Sequence, residues 1–345
     1  MWYRNPYLEL AHQNYQLLLA PILSKSPSTQ RLLIIPDGIL SQIAFESLLY
    51  EEVDHLDANT PFLLKKYAIS YLYSSSFLVL KNENKAVAAC FGGFGIEYDE
   101  MTLKSIQDKG IVRSATINGM RSMGQLTYSD DEVSAIAKLL QGESWLNQSA
   151  TKAAFLENAP RFRILHLAMH GALNEQQPLQ SALIFTKTND TTDYLLRAGE
   201  LYNLRLHADM VVLSACNTGF GKIQKGEGVM SLSRAFAYAG CPSLVMSLWS
   251  VPDHSTSEIM THFYQNLIVE NTFKNSALRQ AKLTYLDNTD ALLAHPLFWA
   301  GFVPMGDMQP IELKKGLNWW IWGGISGVLL IAIIGFSFFR KNKVL

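Results

Sequence analysis

Two short apolar runs place an imidazole and a thiol at the carboxyl ends of two predicted strands. Residues 164–169 lead into His170, which is followed by a glycine, and residues 211–215 lead into Cys216, which is followed by a polar turn that ends in glycine. In an open parallel sheet, side chains at the carboxyl ends of neighbouring strands converge on one crevice. A thiol and an imidazole that meet there are the components of a cysteine nucleophile and its general base. We therefore predict that Cys216 and His170 form a catalytic pair.

The surrounding residues extend this hypothesis. The backbone N–H groups of Gly171 and Cys216 are candidates for an oxyanion hole that would hold a tetrahedral intermediate. A lone buried cysteine is more often a packing residue, and we expect that role for Cys90 and Cys241. Three cysteines are too few for a disulfide framework, so a reducing compartment, which keeps a thiol usable, is expected.

Metal and cofactor chemistry is not indicated. His166 and His170 are four residues apart on a predicted strand, a separation of about 13 Å, so they cannot share one zinc ion. The run that contains Gly221 and Lys222 lacks the Ser or Thr of a phosphate-binding loop, and no Gly-x-Ser-x-Gly elbow occurs. The 29 basic and 30 acidic residues give a formal net charge of −1 without a basic cluster, so no nucleic-acid partner is expected.

Segments of strand and helix character alternate along the chain. This order predicts an α/β fold with a mainly parallel sheet and helices on both faces. The segments that carry this prediction are a helix over 8–23, a strand over 31–35, a strand over 86–91 that runs into the glycines of 92–95, a helix from Asp130 onward, a helix capped by Thr151, a hairpin formed by 183–185 and 194–196, and the strands before His170 and Cys216.

The carboxyl-terminal segment has the character of a membrane span. Residues 316–339 contain no charged side chain, and a spanning helix needs roughly 20 predominantly apolar residues. Three tryptophans lie at one end, and basic residues flank both ends, as expected at the two interfaces. The alternative is a buried core helix of unusual length. Because no export signal opens the chain, we expect a single-pass tail anchor with the globular part facing the cytoplasm, although two basic residues before the span and three after it weakly favour the reverse.

Several motifs occur in an order that resembles one known family. They are Leu33–Gly38, Phe45–Leu48, His166–Gly171, Leu213–Gly219, Gly226–Val229, Arg234–Phe236, Ser247–Asp253, Phe263–Tyr264 and Trp299–Phe302. Together they resemble the CHAT domain, a caspase-like domain often found beside tetratricopeptide repeats. The resemblance covers roughly residues 17–306 and implies a caspase–hemoglobinase fold and, where the His–Cys pair is intact, cysteine peptidase activity. No 34-residue repeat is present here, so a separate tetratricopeptide-repeat partner, or a segment upstream of this sequence, is expected to supply regulation.

The resemblance also indicates how the chain is organised. We expect an N-terminal helix and linker over 1–30, the N-terminal half of the CHAT domain over 31–128, its catalytic half over 129–310, a transmembrane helix over 316–339 and a basic tail over 340–345.

Substrate selection has two candidate residues. Related peptidases recognise the side chain before the cleaved bond with a charged group near the nucleophile, and Asp253 and Glu227 are candidates for receiving Arg or Lys through charge-assisted hydrogen bonds. Asp253 also fits the start of a helix, where it would cap free N–H groups instead.

Two functions follow from these observations. The first is a membrane-tethered, caspase-like cysteine endopeptidase that cleaves a protein or peptide substrate, with cleavage after a basic residue as one possibility. The alternative is a catalytically silent scaffold that binds a partner at the membrane.

Overall fold

The computed structural model describes residues 6–75, 89–98, 129–172, 174, 177–188, 193–214, 228–249, 251–269 and 271–312. The described residues up to Ile311 belong to one compact unit, and the chain from Glu312 belongs to a second. The positions of Cys216, Glu227, the predicted span over 316–339 and the basic tail lie outside the described residues. Within the described residues, no helix is both long and apolar enough to cross a membrane.

Strands and helices alternate as the sequence pattern predicts. The strands are β1 (Arg31–Ile34), β2 (Ala68–Tyr71), β3 (Ala89–Gly95), β4 (Glu143–Leu146), β5 (Phe162–Ala168), β6 (Gly171–Ala172), β7 (Ala182–Ile184), β8 (Leu195–Arg197), β9 (Met210–Leu213), β10 (Ser243–Ser247) and β11 (Phe302–Gly306). The α-helices are α1 (Pro6–Leu18), α2 (Ala20–Leu23), α3 (Ser129–Leu140), α4 (Lys152–Asn158), α5 (Ala198–Leu201), α6 (Gly228–Tyr238), α7 (Asp253–Val269) and α8 (Lys274–Asp287).

Within the described residues, the main sheet has eight strands in the order β1-β2-β11-β10-β9-β5-β3-β4. Every neighbouring pair is parallel except β10 and β11. The predicted mainly parallel sheet is therefore confirmed. The strands β10, β9, β5, β3 and β4 run in one direction, so their carboxyl ends lie at one edge of the sheet.

The central strands are covered on both faces. All four residues of β9 are buried, and alternate residues of a strand point to opposite faces. Helix α7 packs against α3 and α8, and α3 also packs on β3, whereas α6 contacts β10 and α5. This burial explains why the central strands read as continuous apolar runs in the sequence.

Strand β3 extends further than its sequence indicates. The apolar run predicts a strand that ends at Phe91, but the strand continues to Gly95. A side chain at Gly93 would place its Cβ 2.6 Å from Val133 of helix α3, and one at Gly95 would meet the Ser129 carbonyl oxygen at 2.8 Å. The glycines therefore belong to the strand because they allow α3 to approach it closely.

Three local predictions can be compared directly with the structure. The predicted helix over 8–23 is divided into α1 and α2 next to Pro21, whose ring removes a backbone N–H donor. The hairpin is confirmed, with β7 antiparallel to β8. The cap is also confirmed, because the Thr151 hydroxyl accepts the N–H of Ala154 at 3.1 Å.

Candidate active site

His170 lies between strand β5 and the small antiparallel sheet β6-β7-β8. Strand β5 ends at Ala168, and the chain enters β6 at Gly171. The carbonyl oxygen of His170 accepts the N–H of Ile184 at 2.9 Å, so β7 holds the backbone of the histidine. The backbone of His170 therefore lies at the edge of the main sheet where the parallel strands end.

Tyr98, which follows the neighbouring strand β3 by three residues, fixes the same histidine. Its hydroxyl accepts the N–H of His170 at 3.0 Å and donates to the carbonyl oxygen of Ile184. Its ring stacks on the imidazole, with the centroids 4.5 Å apart and the planes inclined by 25°. Burial raises the pKa of the Tyr98 hydroxyl, which keeps it protonated and able to donate. One tyrosine therefore orients both the backbone and the ring of His170.

The His170 imidazole is enclosed. The residue is 1% exposed, and within the described part of the chain neither ring nitrogen has a hydrogen-bond partner. Burial lowers the pKa of His170 from 6.5 to about 4, because an imidazolium loses its hydration there. At neutral pH the ring is therefore uncharged, which is the form that a general base requires, whereas the same burial disfavours the imidazolium that proton transfer would form.

This pKa predicts how the stability of the protein depends on pH. Between about pH 6.5 and pH 4, the unfolded chain binds a proton at His170 that the folded chain does not bind. The free energy of unfolding should therefore fall by about 3 kcal/mol as the pH decreases through this window, and this contribution is fully present above it. Urea unfolding of wild type and His170→Phe, which keeps an aromatic ring beside Tyr98, measures the effect.

The difference between the two proteins isolates the contribution of His170 from that of the other titrating groups. It should be constant above about pH 7 and change steadily between about pH 6.5 and pH 4. A difference in the free energy of unfolding between the two proteins that stays constant across that window would contradict the prediction.

The strand before Cys216 lies directly beside the strand before His170. Strands β5 and β9 are adjacent and parallel, and Leu167 is paired with Leu213. His170 follows Leu167 by three residues, and Cys216 follows Leu213 by three residues. Each residue thus follows the same register pair by the same number of positions, and Cys216 itself lies outside the described residues.

The predicted oxyanion donor on the histidine side has a usable N–H group. Gly171 is paired with Leu183, and the flanking bond runs from the N–H of Ile184 to the carbonyl oxygen of His170. In an antiparallel pair with this flanking bond, the glycine occupies a non-hydrogen-bonded position, so its N–H points away from β7.

The two candidate specificity residues have different outcomes. Asp253 is the first residue of helix α7 and is half-buried. It follows strand β10, whose carboxyl end lies at the same edge as those of β9 and β5. Its position therefore suits either predicted role, recognition of a substrate or the start of a helix. Glu227 lies outside the described residues.

Both remaining cysteines lie within the described residues. Cys90 is half-buried on β3 and Cys241 is buried just before β10. Among the described residues, no group of three or more His, Cys, Asp and Glu side chains is arranged to hold a metal ion.

Sequence reasoning missed a group of buried polar residues on β5, just after β9 and on helices α3 and α7. The group consists of Glu132, His166, Ser214 and Tyr264, and the orienting residue Tyr98 was missed as well. Glu132 precedes Ile136 by four residues on a predicted amphipathic helix, so the helical period places it on the buried face. That period was the available signal for a buried carboxylate.

The fold and this site together define a class. The mainly parallel α/β sheet, in which the strand before His170 lies beside the strand that leads toward Cys216, fits the caspase-like fold that the sequence motifs imply. The Arg-specific cysteine proteinase gingipain R has a similar fold, with a TM-score of 0.51 and 10% identity over 90% of this chain and 68% of that one.

The chain belongs to the CHAT domain family, whose model matches residues 8–307. It is also similar to tetratricopeptide repeat protein 28 of Mus musculus, with 33% identity over 125 residues, and to the Homo sapiens protein of the same name, with 32% identity. Each match covers 36% of this chain and 5% of the relative's length.

Proposed function

We propose that the protein is a cysteine endopeptidase in which Cys216 is the nucleophile and His170 is the general base. The observation that carries this proposal is the register of β5 and β9, since His170 and Cys216 each follow the Leu167–Leu213 pair by three residues. Membership of the CHAT family supports the same assignment.

The reaction uses both residues in turn. His170 takes the proton of the Cys216 thiol, and the sulfur attacks the carbonyl carbon of the scissile peptide bond. The N–H groups of Gly171 and Cys216 stabilise the oxyanion that forms. His170 then gives its proton to the departing amine as the C–N bond breaks. Water hydrolyses the resulting thioester and restores the thiol.

Cleavage after a basic residue is the expected specificity. Asp253 supports it, because a half-buried carboxylate at the edge where the strands end could pair with an Arg or Lys side chain. Glu227, in the segment after Cys216, is the second candidate.

Fluorogenic peptides that end in Arg, Lys or Asp before the reporter group test the proposal on the full chain. Hydrolysis after Arg or Lys that disappears in Cys216→Ala is the expected result. Asp253→Asn should then reduce cleavage of the Arg peptide more than that of a neutral one. No hydrolysis of any peptide, together with no labelling of Cys216 by a thiol-directed peptide electrophile, would refute it.

A catalytically silent scaffold is the second candidate. The observation that favours it is the enclosure of the His170 ring, which is 1% exposed and has no polar partner among the described residues. In this case the domain would bind a partner protein, and the similarity to tetratricopeptide repeat protein 28 makes a tetratricopeptide-repeat protein one candidate.

The uncharged run over 316–339 supports a membrane tether in either case, with the globular domain facing the cytoplasm and the apolar segment in contact with lipid. The protein should stay in the membrane pellet after an alkaline carbonate wash. Protease added to sealed vesicles whose cytoplasmic face is turned outward should degrade the globular domain. Release by carbonate would contradict the tether.

A further inference from the structure

A buried polar cluster connects the two strands that lead to His170 and Cys216. We call it the Glu132 cluster, and its members are Glu132, His166, Ser214 and Tyr264. The Ser214 hydroxyl donates to Glu132 Oε1 at 2.8 Å. His166 Nε2 lies 2.9 Å from the same oxygen, outside the angular range of a hydrogen bond, and His166 Nδ1 lies 3.1 Å from the Tyr264 hydroxyl.

The Glu132 cluster is buried. Glu132 is 3% exposed and Ser214 is 6% exposed, whereas His166 and Tyr264 are fully enclosed. A carboxylate in such surroundings is costly unless close polar groups replace its hydration. Burial, and next the negative charge of Glu132, raise the pKa of Tyr264 well above its usual value, so its hydroxyl stays protonated.

Ser214 is anchored at both its backbone and its side chain. Its N–H donates to the carbonyl oxygen of Leu167 on β5 at 3.0 Å, and its hydroxyl is held by Glu132. Ser214 follows the last residue of β9 and precedes Cys216 by two residues. Both the backbone and the side chain of the last described residue before Cys216 are therefore held in place.

Helix α3 holds the other end of this contact in a fixed position. The helix lies so close to β3 that a Cβ at Gly93 would meet Val133, the neighbour of Glu132, at 2.6 Å. Because the packing leaves little room for movement, the Glu132 carboxylate is a fixed reference point for the serine.

We propose that Glu132 and Ser214 are positioning residues that align the segment carrying Cys216 with the His170 imidazole. This inference rests on the proposed function, since it concerns the same pair. It assigns to the Ser214–Glu132 hydrogen bond a role in the reactivity of the thiol, in addition to its contribution to the folded state.

The test measures thiol reactivity without a substrate. Iodoacetamide reacts with a thiolate, forming an S–C bond and releasing iodide, and mass spectrometry of the peptide that contains Cys216 gives the rate. The rate in wild type divided by the rate in His170→Ala gives the acceleration due to the histidine. We expect Ser214→Ala, made in the full chain with and without His170→Ala, to lower this acceleration by about 10-fold or more, because small displacements of reacting groups carry penalties of this size.

Matched variants separate positioning from general stability. Ser243 is a buried serine on β10 whose hydroxyl has no hydrogen-bond partner among the described residues, so Ser243→Ala should leave the acceleration unchanged. Glu132→Gln keeps an acceptor for Ser214 and should retain more of the acceleration than Glu132→Ala. Ser214→Ala combined with Glu132→Ala should be no worse than the poorer single variant, because both remove one interaction.

Ser214→Ala carries the test because it deletes a single buried oxygen, and its thermal midpoint reports whether the fold is kept. An unchanged acceleration in folded Ser214→Ala would overturn the positioning role while leaving the His170–Cys216 pair intact. Equal rates in wild type and His170→Ala would overturn the pair itself, and the positioning role with it.

Discussion

His170→Ala is expected to lower kcat/KM for a cleaved peptide by at least about 1,000-fold, and Cys216→Ala to lower it at least as much. The two residues act as one unit, since the imidazole has no role without the thiol whose proton it accepts. The double variant should therefore be no worse than the poorer single variant. Steady-state hydrolysis by the four proteins gives the comparison.

His55→Ala is the matched control for this prediction. His55 is exposed before strand β2, with its ring nitrogen 3.7 Å from Asp57. Its loss should leave kcat/KM within about twofold of wild type, because exposed positions away from a site have small effects. A double variant whose loss equals the product of the single losses would show that His170 and Cys216 act independently.

The second large effect concerns the buried ion pair between Lys282 and Glu46. Lys282 of α8 pairs with Glu46 and also donates to the carbonyl oxygen of Phe302, and the second carboxylate oxygen of Glu46 accepts the Tyr71 hydroxyl at 3.2 Å. Both charged side chains are almost fully enclosed. Lys282→Met should lower the free energy of unfolding by about 3–5 kcal/mol, because it leaves the carboxylate buried without its cation.

Removing both charges should restore much of that loss, so Lys282→Met with Glu46→Gln is expected to be more stable than Lys282→Met alone. Arg161→Gln is the control, since Arg161 and Glu143 form a pair in which both side chains are about half exposed, and such pairs contribute about 1 kcal/mol or less. Chemical unfolding of the four proteins measures these differences. A loss in Lys282→Met as small as in Arg161→Gln would contradict the prediction.

Much of the sheet could be predicted from the sequence because its strands are buried on both faces. Such strands are short, mainly apolar runs, and β2, β5, β9 and β10 are recognisable in this way. Strand β1 has the same apolar character, although its residues are exposed or only half-buried. Strand β4 begins with two exposed residues, so its pattern is weak. Strand β3 contains three glycines, which ordinarily indicate a turn; the approach of α3 explains Gly93 and Gly95, and the Phe162 ring of β5 fills the space beside Gly92.

The candidate site could be predicted only in part. Cys216 and His170 stand out because a reactive side chain ends an apolar run. Tyr98 follows β3 with no distinguishing pattern, and its contact with His170 joins residues 72 positions apart in the chain. Glu132 and Ser214 are 82 positions apart, and each is an ordinary residue in its own segment. Contacts of this kind join segments that are distant in the chain, and a local pattern does not identify which residues meet.

Strand β11, which is antiparallel to β10 and parallel to β2, affects how the molecule is assembled. It lies between β2 and β10, so the last strand in the described sequence completes the interior of the sheet. A nascent chain that has not yet reached Phe302 would present two unpaired strand edges, which are templates for association with other chains. We expect ribosome-bound intermediates of this protein to depend on chaperones until β11 is synthesised, and truncations before residue 302 to aggregate.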